Sequence, residues 1–202
     1  MVEMSRGTPL DWETSLNLES AGLVSRLYRV SDKYRVTSND RFCPSHSVLD
    51  AQEGKRHTLS RLTFDNTRHK VDYDERDLLK NSSLKRQLDI APCTYDIVGA
   101  LESLREMNLR PDKWATLPVT NGKKMAYVKV QGQAKESLRL AGKTYETIRY
   151  EVFLFDDVLY KRKGRLLMWV SDDSDRVPIQ LRLQMGFPIG TITVQLEKAQ
   201  KI

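Results

Sequence analysis

A chain of 202 residues, 40% apolar and 30% charged, is sized for one folded domain with one core, and ten Gly and seven Pro are too few for a linker-rich or disordered chain. Its net charge of +6 comes from 33 basic residues interleaved with 27 acidic ones, which reads as a mixed-charge solvated surface ahead of a nucleic-acid or anionic-membrane footprint. No run approaches the roughly 18 apolar residues of a membrane-spanning helix, and Met1 to Gly7 lack the apolar stretch of a signal peptide, which taken literally makes the chain cytoplasmic.

Residues 1–11 read as a flexible polar lead-in. Trp12 to Thr37 carries short apolar–polar alternations broken at Ala21-Gly22 and Ser31-Asp32, consistent with two or three modest strands. Ser38 to Gly54 has little periodicity and contains Asn39-Asp40 and Cys43-Pro44-Ser45, so a loop is expected. His57 to Arg76 reads as a hairpin looped at Asn66 to His69, which sets Phe64 against Val71 and Leu62 against Tyr73. Asp77 to Ala91 is charged and irregular, and reads as an exposed connection.

A helix over Asp96–Met107 follows, capped by Thr94 or Asp96, with Ile97, Val98, Leu101 and Leu104 on one stripe and Pro111 beyond its end. The rest is strand after strand. Asn121-Gly122 predicts a two-residue hairpin turn that sets Leu117 opposite Ala126, with Pro118 facing outward or on an edge. Ala141-Gly142 sets Leu138 across from Tyr145. Ile148, Tyr150, Val152 and Leu154 share one face of the next strand, and Phe153 and Phe155 the other; Arg165–Ser171 is a further strand. Ile179, Leu181, Leu183 and Met185, then Ile192, Val194 and Leu196, alternate with polar residues, one face buried and one wet. The expected fold is mainly β (α+β), one domain over 1–202: a curved antiparallel meander packed on one short helix.

Candidate chemistry is sparse. His46, His57 and His69 lack the paired spacing of a zinc site, so no metal is expected. Ser82 and Lys85 match a Ser-x-x-Lys spacing, but in a charged, exposed segment. Asp172, Asp173 and Asp175 form the densest carboxylate cluster; it lacks the Gly and distal Glu of a calcium loop and reads as a polar turn. No phosphate loop, dinucleotide fingerprint or nucleophile elbow occurs, and no cofactor is expected.

The C-terminal strands carry a recognisable pattern. Leu167-Met168-Trp169-Val170-Ser171-Asp172-Asp173, Arg176-Val177-Pro178-Ile179 and Ile189-Gly190-Thr191-Ile192-Thr193 with Leu196 resemble the closing signature of the bacterial "domain of unknown function 3108" family. Ser20 to Tyr28, Glu53-Gly54-Lys55-Arg56 with Phe64-Asp65, Asp96 to Arg105, and Leu140-Ala141-Gly142-Lys143 resemble its earlier segments in order. Trp169, Ser171, Asp172, Asp173, Arg176 and Pro178 are then a structural motif, since the family has no assigned catalytic residues. The resemblance implies a bacterial protein, commonly exported to the periplasm or cell envelope. Family members usually begin with an export signal and an initial strand pair upstream of the segment resembling Ala21-Gly22. This chain starts too late to contain them, so it is expected either to lack the family's N-terminal strands or to be an unusual cytoplasmic member.

Against that background the two cysteines matter. Cys43 and Cys93 each stand beside a proline, and an even count suits a disulfide in an exported protein. Two reduced thiols suit a cytoplasmic one. The deciding quantity is the Cα separation, which must fall within about 4.4–6.8 Å for a bridge. The function expected is that of a non-catalytic cell-envelope domain binding an apolar ligand, such as a lipid, or a protein partner. The alternatives are a hydrolase using Asp172 and Asp173, or a binder of nucleic acid or anionic surfaces.

Overall fold

The computed structural model describes residues 2–6, 11–20, 29–186 and 190–195, with side chains from Trp12 onward. The chain divides into two compact units, residues 1–100 with 120–125, and residues 101–119 with 126–202, a subdivision that the expectation of one domain did not contain.

The first unit holds a seven-stranded antiparallel sheet whose strands lie in sequence order: β1 (Val2–Arg6), β2 (Asp11–Glu19), β3 (Val30–Asn39), β4 (Pro44–Glu53), β5 (Arg56–Asp65), β6 (Lys70–Asp77) and β7 (Ser82–Asp89). The expected hairpin is present, with Phe64 opposite Val71 and Leu62 opposite Tyr73. Those four side chains and Ile90 form a buried cluster, with Leu84, Leu88 and Met125 packed against it. The Asp65 carboxylate shapes the loop by accepting the N–H groups of Thr67 (3.1 Å) and Arg68 (2.7 Å).

Several expectations for this half are corrected. The supposed lead-in contains β1, whose Val2–Arg6 pair with Trp12–Leu16. Consequently β2 is paired on both sides, with β1 and with β3; Ala21-Gly22 lies outside the described residues. The supposed loop 38–54 is mostly β4, an interior strand between β3 and β5. The supposed connection 77–91 contains β7, an edge strand in which Leu84 and Leu88 alone are half-buried.

Helix α1 (Ile97–Met107) begins where expected. The Asp96 carboxylate accepts the Gly99 N–H at 2.8 Å and its carbonyl accepts the Ala100 N–H at 3.0 Å, which is N-cap geometry. Val98, Ala100 and Leu104 are buried.

The second unit is a second antiparallel meander. Its sheet runs in the order β13-β12-β11-β10-β9-β8, formed by β8 (Trp114–Thr120), β9 (Met125–Leu140), β10 (Lys143–Phe153), β11 (Gly164–Ser171), β12 (Pro178–Met185) and β13 (Thr191–Gln195). Pro118 lies on the edge strand β8, where its missing N–H costs no interior ladder bond. Leu138 faces Tyr145 across a turn in which Ala141 (φ 49°) and Gly142 (φ 80°) both take the left-handed conformation. Interior strand β11 is buried on both faces from Leu166 to Val170.

Two details differ from the sequence reading. In the β8–β9 turn Asn121 N–H bonds to Lys124 O at 3.3 Å, and Gly122 alone takes a positive φ (80°). The central pair is therefore Gly122-Lys123, one residue later than expected, and its first position must be glycine because a Cβ there would enter the Tyr73 ring. The alternation of β12 and β13 pairs Leu181 with Val194 and Leu183 with Ile192. Only Ile179 of that face is fully buried, and Ile192 on the edge strand is 43% exposed.

Candidate functional site

The family signature closes the turn between β11 and β12. Ser171 N–H donates to Val177 O at 2.9 Å, and Val177 N–H returns to Ser171 Oγ at 2.8 Å. Inside this ring the Asp173 carboxylate accepts from Ser171 Oγ (2.8 Å) and from the N–H groups of Asp175 (3.0 Å) and Arg176 (3.1 Å). The Ser171 bond, with the backbone donors, holds the Asp173 carboxyl below its ordinary range. Arg176 sits at φ 49° and sends its guanidinium to Tyr150 Oη (2.5 Å) and Arg105 O (3.2 Å).

The other signature residues are anchored as firmly. Trp169 is buried, donates its indole N–H to Glu136 Oε1 at 2.9 Å, and lies 5.1 Å beneath the Arg182 guanidinium. Glu136 is also paired with Arg149 at 3.0 Å. Asp172 donates its N–H to Glu146 O at 2.8 Å, and its carboxylate meets Lys135 Nζ at 2.5 Å. Pro178 opens β12 opposite Val170, at a register shift in the β11–β12 ladder. The sequence brought these six residues together by resemblance. It missed their partners Arg105, Lys135, Glu136 and Tyr150; the one local signal was Glu102 three residues before Arg105 on the helix, an ion pair at 3.1 Å.

Beside the turn lies a half-open cleft of about 420 Å³ lined by Asn108, Arg110, Pro111, Lys135, Ile148 and Asp172. Its first wall is the segment after α1, held against β9 by the absence of a side chain at Gly132, where an added Cβ would meet the Arg110 carbonyl. Asp112 N–H to Gly132 O (2.9 Å) and Gly132 N–H to Lys113 O (2.9 Å) fix that contact. Tyr150 Oη donates to Leu109 O at 3.1 Å, which links the same segment to the Arg176 guanidinium. Four of the six lining side chains are polar or charged.

The remaining candidates are dispersed. Cys43 and Cys93 are joined in a disulfide with Cα atoms 4.9 Å apart. His46 is exposed on β4, His57 on β5 pairs with Asp50 at 2.8 Å, and His69 lies in the β5–β6 turn; no cluster able to hold a metal exists among the described residues. Ser82 and Lys85, three apart on strand β7, point to opposite faces of the sheet, and Lys85 lies 3.7 Å from Asp74. Basic residues of β5–β7 and their turns alternate with carboxylates, as in Arg68–Asp65, Lys70–Asp89 and Arg76–Asp74. No helix of the described residues is long and apolar enough to cross a membrane.

Burial raises the carboxyls of Asp96, Asp32 and Glu102. Asp96 is fully buried, which raises it to about 6, although Tyr34 Oη (2.6 Å) and the Gly99 N–H favour its ionised form. Asp32 is raised to about 6 by burial and by the charges of Glu53 and Asp50.

Comparison with known proteins adds a family and little else. The chain matches no curated protein. A solved structure of a DUF1089-family protein from Pseudomonas aeruginosa is similar at 10% identity and a TM-score of 0.33, with 100% of this chain and 91% of that one covered, a likeness too slight to transfer a property. The family model described as "Protein of unknown function (DUF3108)" matches residues 2–197, and the chain therefore belongs to that family.

Proposed function

We propose that this chain is a non-catalytic domain of the bacterial cell envelope that binds a protein partner at the Asn108–Pro111 cleft. The observation that carries this reading is how the signature carboxylates are used. Asp173 is committed to three turn donors and Asp172 to Lys135, so the motif builds the wall of a cleft. A hydrolase would need one carboxyl held above its ordinary range beside the cleft, and Asp173 is held below it. The cleft sets the polar residues Asn108, Arg110, Lys135 and Asp172 beside the apolar Pro111 and Ile148, a mixed composition that a protein segment can meet. The Cys43–Cys93 disulfide supports an oxidising compartment.

The test is fractionation of a bacterium expressing the chain from its own locus, followed by native mass spectrometry of the purified protein. The chain is expected in the envelope fraction, disulfide-bonded, with a second polypeptide retained. Recovery from the cytoplasm with free thiols would remove the envelope assignment, and retention of a lipid mass alone would replace the partner with an apolar ligand.

A further inference from the structure

We infer that the tip of the β6–β7 hairpin is an interfacial anchor that seats Leu78 and Leu79 in an anionic lipid surface. It stands apart from the cleft and from the protein partner proposed there. Leu78 and Leu79 are adjacent in sequence and are 46% and 64% exposed. Turns of this kind ordinarily take Gly, Asn, Asp or Ser, whose backbone or side chain shapes them. Here the flanking residues do the shaping. The Asp77 carboxylate accepts the N–H groups of Leu79 (3.1 Å) and Lys80 (2.9 Å), and Asn81 closes the turn at φ 51°. The two leucine side chains thus take no part in forming the turn and hold apolar surface in water. A single exposed apolar side chain is ordinary, but an adjacent pair at a hairpin tip is a contiguous projection.

Lipid accepts a loop only if its backbone brings its own hydrogen-bond partners. Leu78 N–H donates to His57 O at 2.8 Å, so with the two Asp77 bonds three consecutive N–H groups of the tip are satisfied before any contact is made. The same Leu78 bond sets the tip beside the β4–β5 turn, where Lys55 and Arg56 are exposed. Around the two turns stand six exposed basic side chains, Lys55, Arg56, Arg76, Lys80, Lys85 and Arg86, against the carboxylates of Glu53, Asp74 and Asp77. The nearby Glu75 is committed to Lys123 at 2.8 Å. A surplus of cations beside a short apolar tip complements anionic headgroups, and the long Lys and Arg stems let the charges stay at headgroup level while the leucines enter. Two leucines reach only the headgroup–acyl boundary, so the attachment is peripheral and reversible. A second copy of the chain fits less well, because the adjoining edge strand β7 carries Lys85, Arg86 and Gln87, which disfavour the addition of a further strand.

The experiment is flotation of the purified, disulfide-bonded full chain with vesicles of phosphatidylglycerol and phosphatidylethanolamine, run beside vesicles of phosphatidylcholine alone. The fluorescence of an L79W variant is read in parallel against the background of the natural chain. The natural chain is expected to float with the anionic vesicles and not with phosphatidylcholine, and less so as salt rises. L78S/L79S should weaken binding about tenfold or more at an unchanged urea midpoint, and K55Q/R56Q should weaken it and flatten its salt dependence. L79W should move its emission to shorter wavelength with the anionic vesicles and be quenched by lipids brominated on the acyl chain. Because L79W keeps the tip apolar, it decides the matter even if the serine variant does not fold. No flotation with the anionic vesicles, equal binding to phosphatidylcholine, undiminished binding by L78S/L79S, or an unmoved L79W emission would each overturn the anchor. In the absence of vesicle binding, a dimer that sedimentation velocity detects in the natural chain and not in L78S/L79S would reassign the leucines to a second copy.

Discussion

Arg105 and Arg176 each donate to the other's backbone carbonyl, Arg105 Nε to Arg176 O at 2.9 Å and Arg176 Nε to Arg105 O at 3.2 Å. The two side chains carry like charges, yet the exchange works because each guanidinium points at a carbonyl and finds an anion or hydroxyl elsewhere. Arg105 reaches Glu102, and Arg176 reaches Tyr150 Oη. The effect is to tie the last turn of α1 to the signature turn. Glu102 is buried, which raises its carboxyl against the pull of Arg105.

R105A should therefore lower stability by about 2–3 kcal/mol, since it removes three acceptors' donor and leaves Glu102 buried without its cation. R105K should recover less than half, because one ammonium cannot serve the Arg176 carbonyl, the Asp175 carbonyl and Glu102 in the fixed directions of a guanidinium. Urea unfolding measures both. Full recovery by lysine would show that charge alone matters at this position.

The adjacent aspartates of the signature should behave differently. Asp173 organises the turn, and D173A is expected to cost about 1–2 kcal/mol through three lost bonds. Asp172 makes an ion pair with a Lys135 side chain that is 61% exposed, and D172A should cost about 0.5 kcal/mol. Because the Asp173 carboxyl is held low in the folded chain, its contribution is present above the ordinary aspartate range and is lost as pH falls through the folded value. Equal losses for the two alanine variants in matched urea series would contradict this division of roles.

What the sequence made legible follows from which residues face the core. The 56–77 hairpin was readable because Leu62, Phe64, Val71 and Tyr73 meet as apolar pairs across it. Strand β4 was not, because its buried positions are Pro44, Ser47 and Ala51, small or polar residues at irregular spacing, while interior pairing on both sides imposes the extended backbone. Strand β7 was hidden by Lys85, Arg86 and Gln87, which an edge strand with one open side tolerates. The signature's role had no local spacing to reveal it either. Arg105 and Arg176 are 71 residues apart, and Lys135 and Asp172 are 37 apart, so the contacts exist only once two hairpins and a helix have been placed.

Cys43 immediately precedes β4 and Cys93 lies three residues before the helix cap, so the bridge encloses a sequence separation of 50. Closing a loop of that length stabilises by about 4 kcal/mol on the chain-entropy account. C43S/C93S should lower the unfolding midpoint accordingly, and a reductant should destabilise the natural chain while leaving the double variant unmoved. An unchanged midpoint under reduction would mean that the bridge constrains little of the unfolded chain.

The fully buried Asp96 makes stability depend on pH in a direction opposite to that of Asp173. Its carboxyl caps α1 and accepts Tyr34 Oη, but burial raises it to about 6 from an ordinary 3.8. Between those values the folded chain holds a proton that the unfolded chain has released. The stabilisation is thus full below the unfolded value and is lost as pH rises through the folded one, a change of roughly 3 kcal/mol at most across that window. D96N keeps an acceptor at the cap, where Asn ranks with Asp, and cannot ionise. Its stability relative to the natural chain should therefore rise from pH 4 to pH 7 and level off above the folded value. Other raised carboxyls, such as Asp32, are common to both chains and cancel in that difference. Y34F removes a donor to the ionised form and should move the Asp96 titration to higher pH. Urea unfolding of the three proteins in steps across this range measures the difference directly, and parallel curves for D96N and the natural chain would show that Asp96 does not take up a proton on folding.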